Sequence, residues 1–192
     1  MSPKLLLHVC CANCATAPIE LLKQIFDLTL FWYNPNIYPW QERRKRLAEV
    51  KKLVKIYGVN LIISRGGTRK WFRAVKGLEN EPEGGKRCAL CFQMRLAKTA
   101  QAAKKKNFDY FGSTLTMGPQ KKAETINFFG QEIAKEYGLK FYNADFKKQD
   151  GFKKSLELSK KYNFYRQNYC GCKYSLKHKN IKIRKQKISK KV

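Results

Sequence analysis

Acidic residues are scarce in this chain of 192 residues: 14 Asp and Glu stand against 41 Lys and Arg, a formal net charge of +27. An A+T-rich coding bias would raise lysine, but it would not suppress carboxylates roughly threefold relative to the cations. A polyanionic partner explains the imbalance better. Histidine is scarcer still, with only two. No Ser-His-Asp set can be assembled and no His-Glu-x-x-His zinc motif exists. His8 falls within an apolar run and reads as a packed core residue. His178 lies in a basic stretch and needs no special role. No run approaches the roughly 18 consecutive apolar residues of a membrane span. The charge is accompanied by neither an amphipathic surface helix nor a lipidation signal, which favours nucleic acid over membrane. No secretory signal is recognised, so the expected location is cytoplasmic. Gly66-Gly67 lacks the spacing of a phosphate loop, no Walker A sequence occurs, and there is no internal repeat.

What the chain does have is cysteine in groups. Cys10-Cys11-Ala-Asn-Cys14, Cys88-x-x-Cys91 and Cys170-x-Cys172 account for all seven. The odd count leaves at least one thiol over in a purely disulfide scheme. In a reducing compartment, clustered thiols are metal ligands or redox catalysts more often than structural disulfides. Apolar content of 43% and aromatics at 13% are those of a folded chain.

The first cysteine group ends the apolar run Leu5–Val9, which reads as a buried strand, and Ala15–Phe26 then has helical spacing. Further strands are expected at Leu28–Asn34, Val59–Ser64, Phe108–Ser113 and Lys140–Ala144. Helices are expected at Tyr38–Tyr57 (closed by Gly58), around Trp71–Val75, and at Phe92–Lys106, Lys121–Tyr137 and Phe152–Tyr162. Alternating strands and helices predict an α/β fold, a doubly wound, mostly parallel sheet of about five strands. Residues 1–172 would form one catalytic domain, and 173–192, with nine basic residues and no acidic one, a basic tail. Without that tail, 32 basic residues still face 14 acidic ones. In such a sheet, Cys10, Asn34, Ser64, Ser113 and Asp145 leave the same carboxyl edge, where open α/β folds bind ligands.

Thiolates suit zinc or an iron–sulfur cluster. A zinc ribbon needs two separated Cys-x-x-Cys pairs, and only one is present. The Cys10-Cys11 doublet serves different irons more easily than one tetrahedral zinc, so the spacing favours iron–sulfur without deciding it. Cys88-x-x-Cys91 at a helix start could instead be a dithiol redox couple, with Arg87 and Arg95 stabilising thiolates under either reading. Two rivals therefore stand beside an iron–sulfur enzyme. One is a zinc-stabilised nucleic-acid-binding protein, and the other a thiol–disulfide oxidoreductase. A tRNA-thiolating enzyme of related fold is a weaker fit, because the usual ATP-pyrophosphatase loop is missing after the first strand.

Several motifs together resemble the QueH family of epoxyqueuosine reductases. These are Cys10-Cys11-Ala-Asn-Cys14, Asn34-Pro-Asn-Ile37, Gly85-Lys-Arg-Cys88-Ala-Leu-Cys91-Phe-Gln-Met-Arg95, Ser113-Thr-Leu115 with Pro119 and Lys121, Asp145-Phe-Lys147, and Tyr165-Arg-Gln-Asn-Tyr-Cys170-Gly-Cys172. They occur in family order over about residues 4–176, and depart at Asn13, where the family usually has proline. The resemblance implies a fold similar to the adenine nucleotide α-hydrolase-like group. It also implies cobalamin-independent reduction of epoxyqueuosine to queuosine at the tRNA wobble position, using a [4Fe-4S] cluster and an additional nearby iron ion. On that basis Cys10, Cys11, Cys88 and Cys91 are the expected cluster ligands, and Cys14 the ligand of a second, Lewis-acid metal that opens the epoxide. Cys170 and Cys172 are expected to supply electrons or protons, with Tyr169 a candidate acid. Asn34, Arg95, Ser113, Lys121 and Gln167 are expected to hold the modified base and neighbouring phosphates. The implied partners are tRNA carrying epoxyqueuosine and an external electron donor.

Overall fold

The computed structural model describes residues 2–176. Five parallel strands, β1 (Lys4–Val9), β2 (Asp27–Trp32), β3 (Asn60–Ile63), β4 (Tyr110–Ser113) and β5 (Lys140–Phe141), lie in the order β3-β2-β1-β4-β5. β1 is central because its sequence is apolar on both faces: every residue after Lys4 is buried. It pairs with β2 from Lys4–Asp27 to Val9–Trp32, and with β4 from Leu5–Tyr110 to His8–Ser113.

Alternation along β1 divides the core in two. Leu5, Leu7 and Val9 join Leu28, Leu30 and Trp32 in a cluster that buries Ile19 and Leu22 of α1 (Thr16–Leu22) and Val50 and Leu53 of α2 (Trp40–Tyr57). Leu6 faces the other way, with Phe31 and Phe111, against Phe92, Leu96 and Ala100 of α4 (Lys86–Lys105) and Ile126 and Ile133 of α5 (Ala123–Tyr137). Two further helices, α3 (Thr68–Ala74) and α6 (Gly151–Lys161), complete the set, with a short 3₁₀ turn at Thr114–Met117.

The α/β, doubly wound architecture is as expected, and each expected strand and helix has a counterpart. The largest boundary difference lies at α4, which starts at Lys86 rather than Phe92, so Cys88 and Cys91 sit inside its first two turns. Glu81 explains the early start. Its carboxylate accepts the free N–H of Lys86 at 2.9 Å, supplying the cap that Gly85 lacks. β5 is two residues instead of five; after the Tyr142 N–H bonds the Phe111 carbonyl, the chain leaves the sheet. Lys173–Leu176, expected to begin the tail, form a helical turn on the body: Tyr174 packs on Trp71 and Ser175 is buried. The rest of the expected tail lies outside the described residues.

The strand order fixes where a ligand belongs. From β1 the chain winds one way through β2 and β3, and β4 then starts the other half on the opposite side of β1. The crevice beyond the carboxyl ends of β1 and β4 is therefore the topological switch point. Cys10 follows β1 directly, and Ser113 ends β4.

Where α5 crosses β5, a Cβ on Gly130 would come within 2.4 Å of the Phe141 ring, which packs edge-on against Phe111. Gly130→Ala gains roughly 1 kcal/mol in helix propensity, but overpacking costs typically about 1–3 kcal/mol. The clash wins because the ring has Phe111 behind it. The variant is expected to have a lower denaturant midpoint with an unchanged slope; a raised midpoint would show that Phe141 moves freely.

Candidate metal centre

The abrupt end of β1 builds the site. The Ala15 N–H bonds the Ala12 carbonyl at 2.8 Å, closing a turn that brings Cys10, Cys11 and Cys14 together before α1 begins. Their three sulfurs all lie within 4.8 Å of one another, with Cys10 and Cys11 4.0 Å apart. Hydrogen bonds from Cys11 and Cys14 hold the Cys10 thiol well below its ordinary pKa. The same contacts work the other way on the donors: bonding to Cys10 pushes Cys11 up to about 12, and Cys14 is raised by both neighbours. Binding a metal ion or cluster through thiolates would displace protons from the trio.

Beneath the trio lies a buried polar layer. Asn34 donates to the Val9 carbonyl at 2.8 Å and accepts from Arg95 at 3.1 Å, tying the ends of β1 and β2 to α4. Arg95 also points Nη1 at Cys91 Sγ, 3.9 Å away, and its positive charge is reinforced by Cys91, Cys10 and Cys170. His8 is fully buried between Ser113 Oγ, the Tyr33 carbonyl and Arg95. Burial, with Arg95 beside it, pushes its pKa down to about 3, so it is neutral. His8 is a core residue, as its sequence context suggests.

The late loop, residues 165–172, closes over the trio. Gln167 Nε2 reaches Cys11 Sγ at 2.9 Å, and Asn13 Nδ2 donates to the Tyr165 carbonyl at 2.8 Å and Gln167 Oε1 at 3.2 Å. Arg46, buried in α2, donates to the carbonyls of Tyr169 and Cys170, both at 3.1 Å, and to Glu42 at 2.7 Å. Tyr38 N–H bonds the Gly171 carbonyl at 2.7 Å, and the Tyr169 hydroxyl donates to the Tyr38 carbonyl. Gly171 has φ +121°, and a Cβ there would stand 3.1 Å from the Arg46 guanidinium, so the Cys-Gly-Cys spacing follows from backbone geometry.

The seven thiols are all free and fall into two neighbouring groups. Cys91 and Cys172 pack together with Trp71 and Val75, and Cys172 bonds Ser175. Cys88 accepts from Gly84 N–H at 3.3 Å, and burial raises its pKa. Arg87 does not reach a thiol by hydrogen bond; its Nη1 gathers the carbonyls of Leu78, Glu79 and Glu81 and so folds the preceding loop. Cys170 stands with the first group, beside a cavity of about 330 Å³ lined by Cys10, Cys14, Lys121, Arg166, Gln167 and Cys170. Burial pushes the Cys170 thiol up to about 11, and Lys121 Nζ lies 3.6 Å from its sulfur. Burial opposes the Lys121 charge, but Cys170, Cys10 and Glu83 outweigh it and raise the ammonium pKa.

Of the residues singled out from sequence, Lys121, Gln167, Tyr169 and Cys170 line this cavity with Cys10 and Cys14. Asn34, Arg95 and Ser113 lie below it with their polar atoms engaged internally. Arg46 was not singled out, and Asn13 was noted only as a departure from the family's proline. The i,i+4 spacing of Glu42 and Arg46 was the one available signal for the former.

The family model for epoxyqueuosine reductase QueH matches residues 5–178, which takes in all of the sheet but its first residue and all three cysteine groups. The chain belongs to the QueH family of epoxyqueuosine reductases. It is 41% identical over 187 residues to epoxyqueuosine reductase QueH of Streptococcus pyogenes, a match covering 94% of this chain and 73% of that one. The QueH protein of Thermotoga maritima is 40% identical over 177 residues, covering 89% of both. Among solved structures, the U34-tRNA thiolase NcsA from Methanococcus maripaludis, determined with its [4Fe-4S] cluster, has a TM-score of 0.59 at 13% identity. The match covers 91% of this chain and 61% of the thiolase, and shows a shared fold. Within the QueH family the chain is an oxidoreductase, and no helix among the described residues is long and apolar enough to cross a membrane.

Arg46→Met keeps the volume of the side chain but removes both of its hydrogen bonds to the late loop and strands Glu42. Breaking a buried pair this way costs about 3–5 kcal/mol. The expected result is a lower unfolding midpoint together with faster amide exchange at residues 169–171, while β1 amides keep their protection relative to global unfolding. Unchanged loop exchange would mean that other contacts hold it.

Proposed function

We propose that this chain reduces epoxyqueuosine to queuosine at the wobble position of tRNA, in the cytoplasm, with an iron–sulfur centre held by Cys10, Cys11 and Cys14. One observation carries the reading: three sulfurs within 4.8 Å of one another at the switch point of the sheet, opening into a cavity large enough for a modified base. The donor set fits a [4Fe-4S] cluster. It is all sulfur, hydrogen bonds from its neighbours lower the pKa of one member, and Arg95, Lys121 and the Gln167 amide place positive or N–H groups around it.

When bound, the cluster supplies electrons for a reaction that consumes two electrons and two protons and releases the epoxide oxygen as water. The rest falls to the chain itself. Cys170 keeps its proton at neutral pH and faces the cavity, with the Lys121 ammonium behind it, so this pair delivers protons to the departing oxygen. Tyr169 is the weaker candidate, because burial raises its pKa to about 12 and its hydroxyl proton is committed to the Tyr38 carbonyl. Gln167 and Lys121 meet the base, while Asn34, Arg95 and Ser113 hold the floor beneath it. The grouping of Cys14 with Cys10 and Cys11 favours one shared centre for the trio over a separate metal on Cys14. An additional iron ion would need donors outside the trio, and Cys88, Cys91 and Cys172 do not close on one another as the trio does. Electrons enter from an external donor.

Tested anaerobically on tRNA carrying epoxyqueuosine, with the nucleoside product read by mass spectrometry, the wild-type protein is expected to form queuosine. Cys10→Ser, Cys11→Ser and Cys14→Ser lose cluster absorbance and product together. Cys170→Ser keeps the absorbance and loses turnover. Full activity in a Cys10→Ser, Cys11→Ser, Cys14→Ser protein would contradict the assignment. Positive charge holds the tRNA through phosphates, so affinity falls steeply with salt. Removing residues 177–192, with eight basic residues and no acidic one, should weaken tRNA binding and flatten the salt dependence while leaving the cofactor spectrum intact. A bleached cofactor would show that these residues belong to the core.

A further inference from the structure

Three consecutive cations on the first turns of α2 each lie over an aromatic ring. Arg44 is 5.1 Å from the centre of Trp40, Lys45 is 3.7 Å from Tyr165, and Arg46 is 5.3 Å from Tyr169. Tyr165 and Tyr169 belong to the late loop that closes the cavity, so the band runs along its mouth. Both tyrosines are half-buried and their hydroxyls are engaged, with Glu42 and with the Tyr38 carbonyl. Trp40 is different. It is 59% exposed, whereas the other two tryptophans, Trp32 and Trp71, are 1% exposed in the core. It stands two residues from Tyr38, itself 42% exposed and pinned by its N–H to Gly171.

A single exposed apolar side chain usually needs no explanation. Here the indole stands at the start of a helix whose buried Arg46 lines the cavity, with Arg44 over its ring and Arg43 and Lys45 next in the chain. A rigid aromatic face beside cations, continuous with a cavity for one base, is the arrangement that binds unpaired nucleotides: the ring stacks a base and the cations take the phosphates. Trp40 itself does not line the cavity, so the base it meets is not the one being reduced.

We propose that Trp40 is a stacking platform for an unpaired anticodon-loop base adjacent to the wobble base, with Arg44 bracing the ring and its neighbours holding the flanking phosphate. This rests on the tRNA reading above. It assigns Trp40 a part in orienting the loop so that only one base is presented to the cavity.

The test uses the full-length, anaerobically purified protein and a synthetic anticodon stem-loop RNA with guanosine at the wobble position, at one fixed salt concentration. Because Trp32 and Trp71 are buried, acrylamide-quenchable tryptophan emission comes chiefly from Trp40, and RNA should shield it. Trp40→Ala should weaken RNA binding roughly five- to a hundredfold, the usual worth of one base–aromatic stack. Trp40→Phe should retain most of the affinity, and both variants should keep the cofactor spectrum and melting temperature of the wild type. An RNA abasic at the flanking nucleotide should bind wild type and Trp40→Ala equally. Equal binding of the intact RNA by wild type and Trp40→Ala, or unchanged acrylamide access in the complex, would overturn the platform. So would a Trp40→Ala protein that binds RNA normally but turns over slowly only with a protein electron donor, which would make Trp40 a protein-docking residue. A wild-type protein that binds no anticodon RNA would instead overturn the proposed function itself.

Discussion

The buried guanidinium of Arg46 is the contact on which the assembled site depends. Cys170 reaches the cavity beside Cys10 and Cys14 only if the late loop stays folded over the end of β1, and that loop has no regular secondary structure of its own. Arg46 supplies it with two backbone hydrogen bonds, and Glu42 on the same helix balances the charge. A charge buried this completely would be unfavourable alone. It is tolerable because all three donor nitrogens are used, two of them on carbonyls that would otherwise be orphaned. Asn13 and Gln167 then sew the other side of the loop to the cysteine turn, so a scaffold contact and a contact to sulfur become one network.

The electrostatics around the sulfurs follow from the same construction. Burial resists ionisation at Cys88 and Cys170, whereas hydrogen bonding to neighbouring thiols does so at Cys11 and Cys14. Cys10 is the exception because its neighbours donate to it. Arg95 underlies both sulfur groups, contacting Cys91 directly and feeling Cys10 and Cys170. A net charge of +27 is thus organised on two scales: cations inside, aimed at sulfur, and cations outside, suited to phosphate.

Much of this was readable from sequence because it depends on local patterns. The run Leu5–Val9, unbroken by a polar residue except His8, could only be a central strand, and alternating strands and helices fixed the winding and hence the edge on which the cysteines lie. The spacing put Cys10, Cys11 and Cys14 at one strand end, but the expectation divided them between a cluster and a second metal, whereas their sulfurs form one group. Long-range polar contacts were not readable. Nothing in the sequence tied Arg46 to a loop more than 120 residues away, and Asn13 stood out only as a departure from the family's proline. Asn34, Arg95 and Ser113 were expected to meet substrate, whereas their hydrogen bonds run to Val9, to His8 and to one another's neighbours, because a sheet edge this crowded must satisfy its own buried polar groups first. The start of α4 was missed for a related reason: its cap comes from Glu81, five residues before Lys86, outside the spacing of an ordinary capping residue.

The fold is shared with a tRNA thiolase, but a fold alone does not set the chemistry, and the proposed chemistry rests on the sulfurs at the switch point. The most direct measurement is iron and acid-labile sulfide in the wild-type protein, isolated without oxygen and with its fold checked. The account predicts a brown protein with iron and sulfide in equal amounts within the cluster, the sulfide vanishing when Cys10, Cys11 and Cys14 are replaced. A folded, colourless protein that contains zinc and no inorganic sulfide would contradict it.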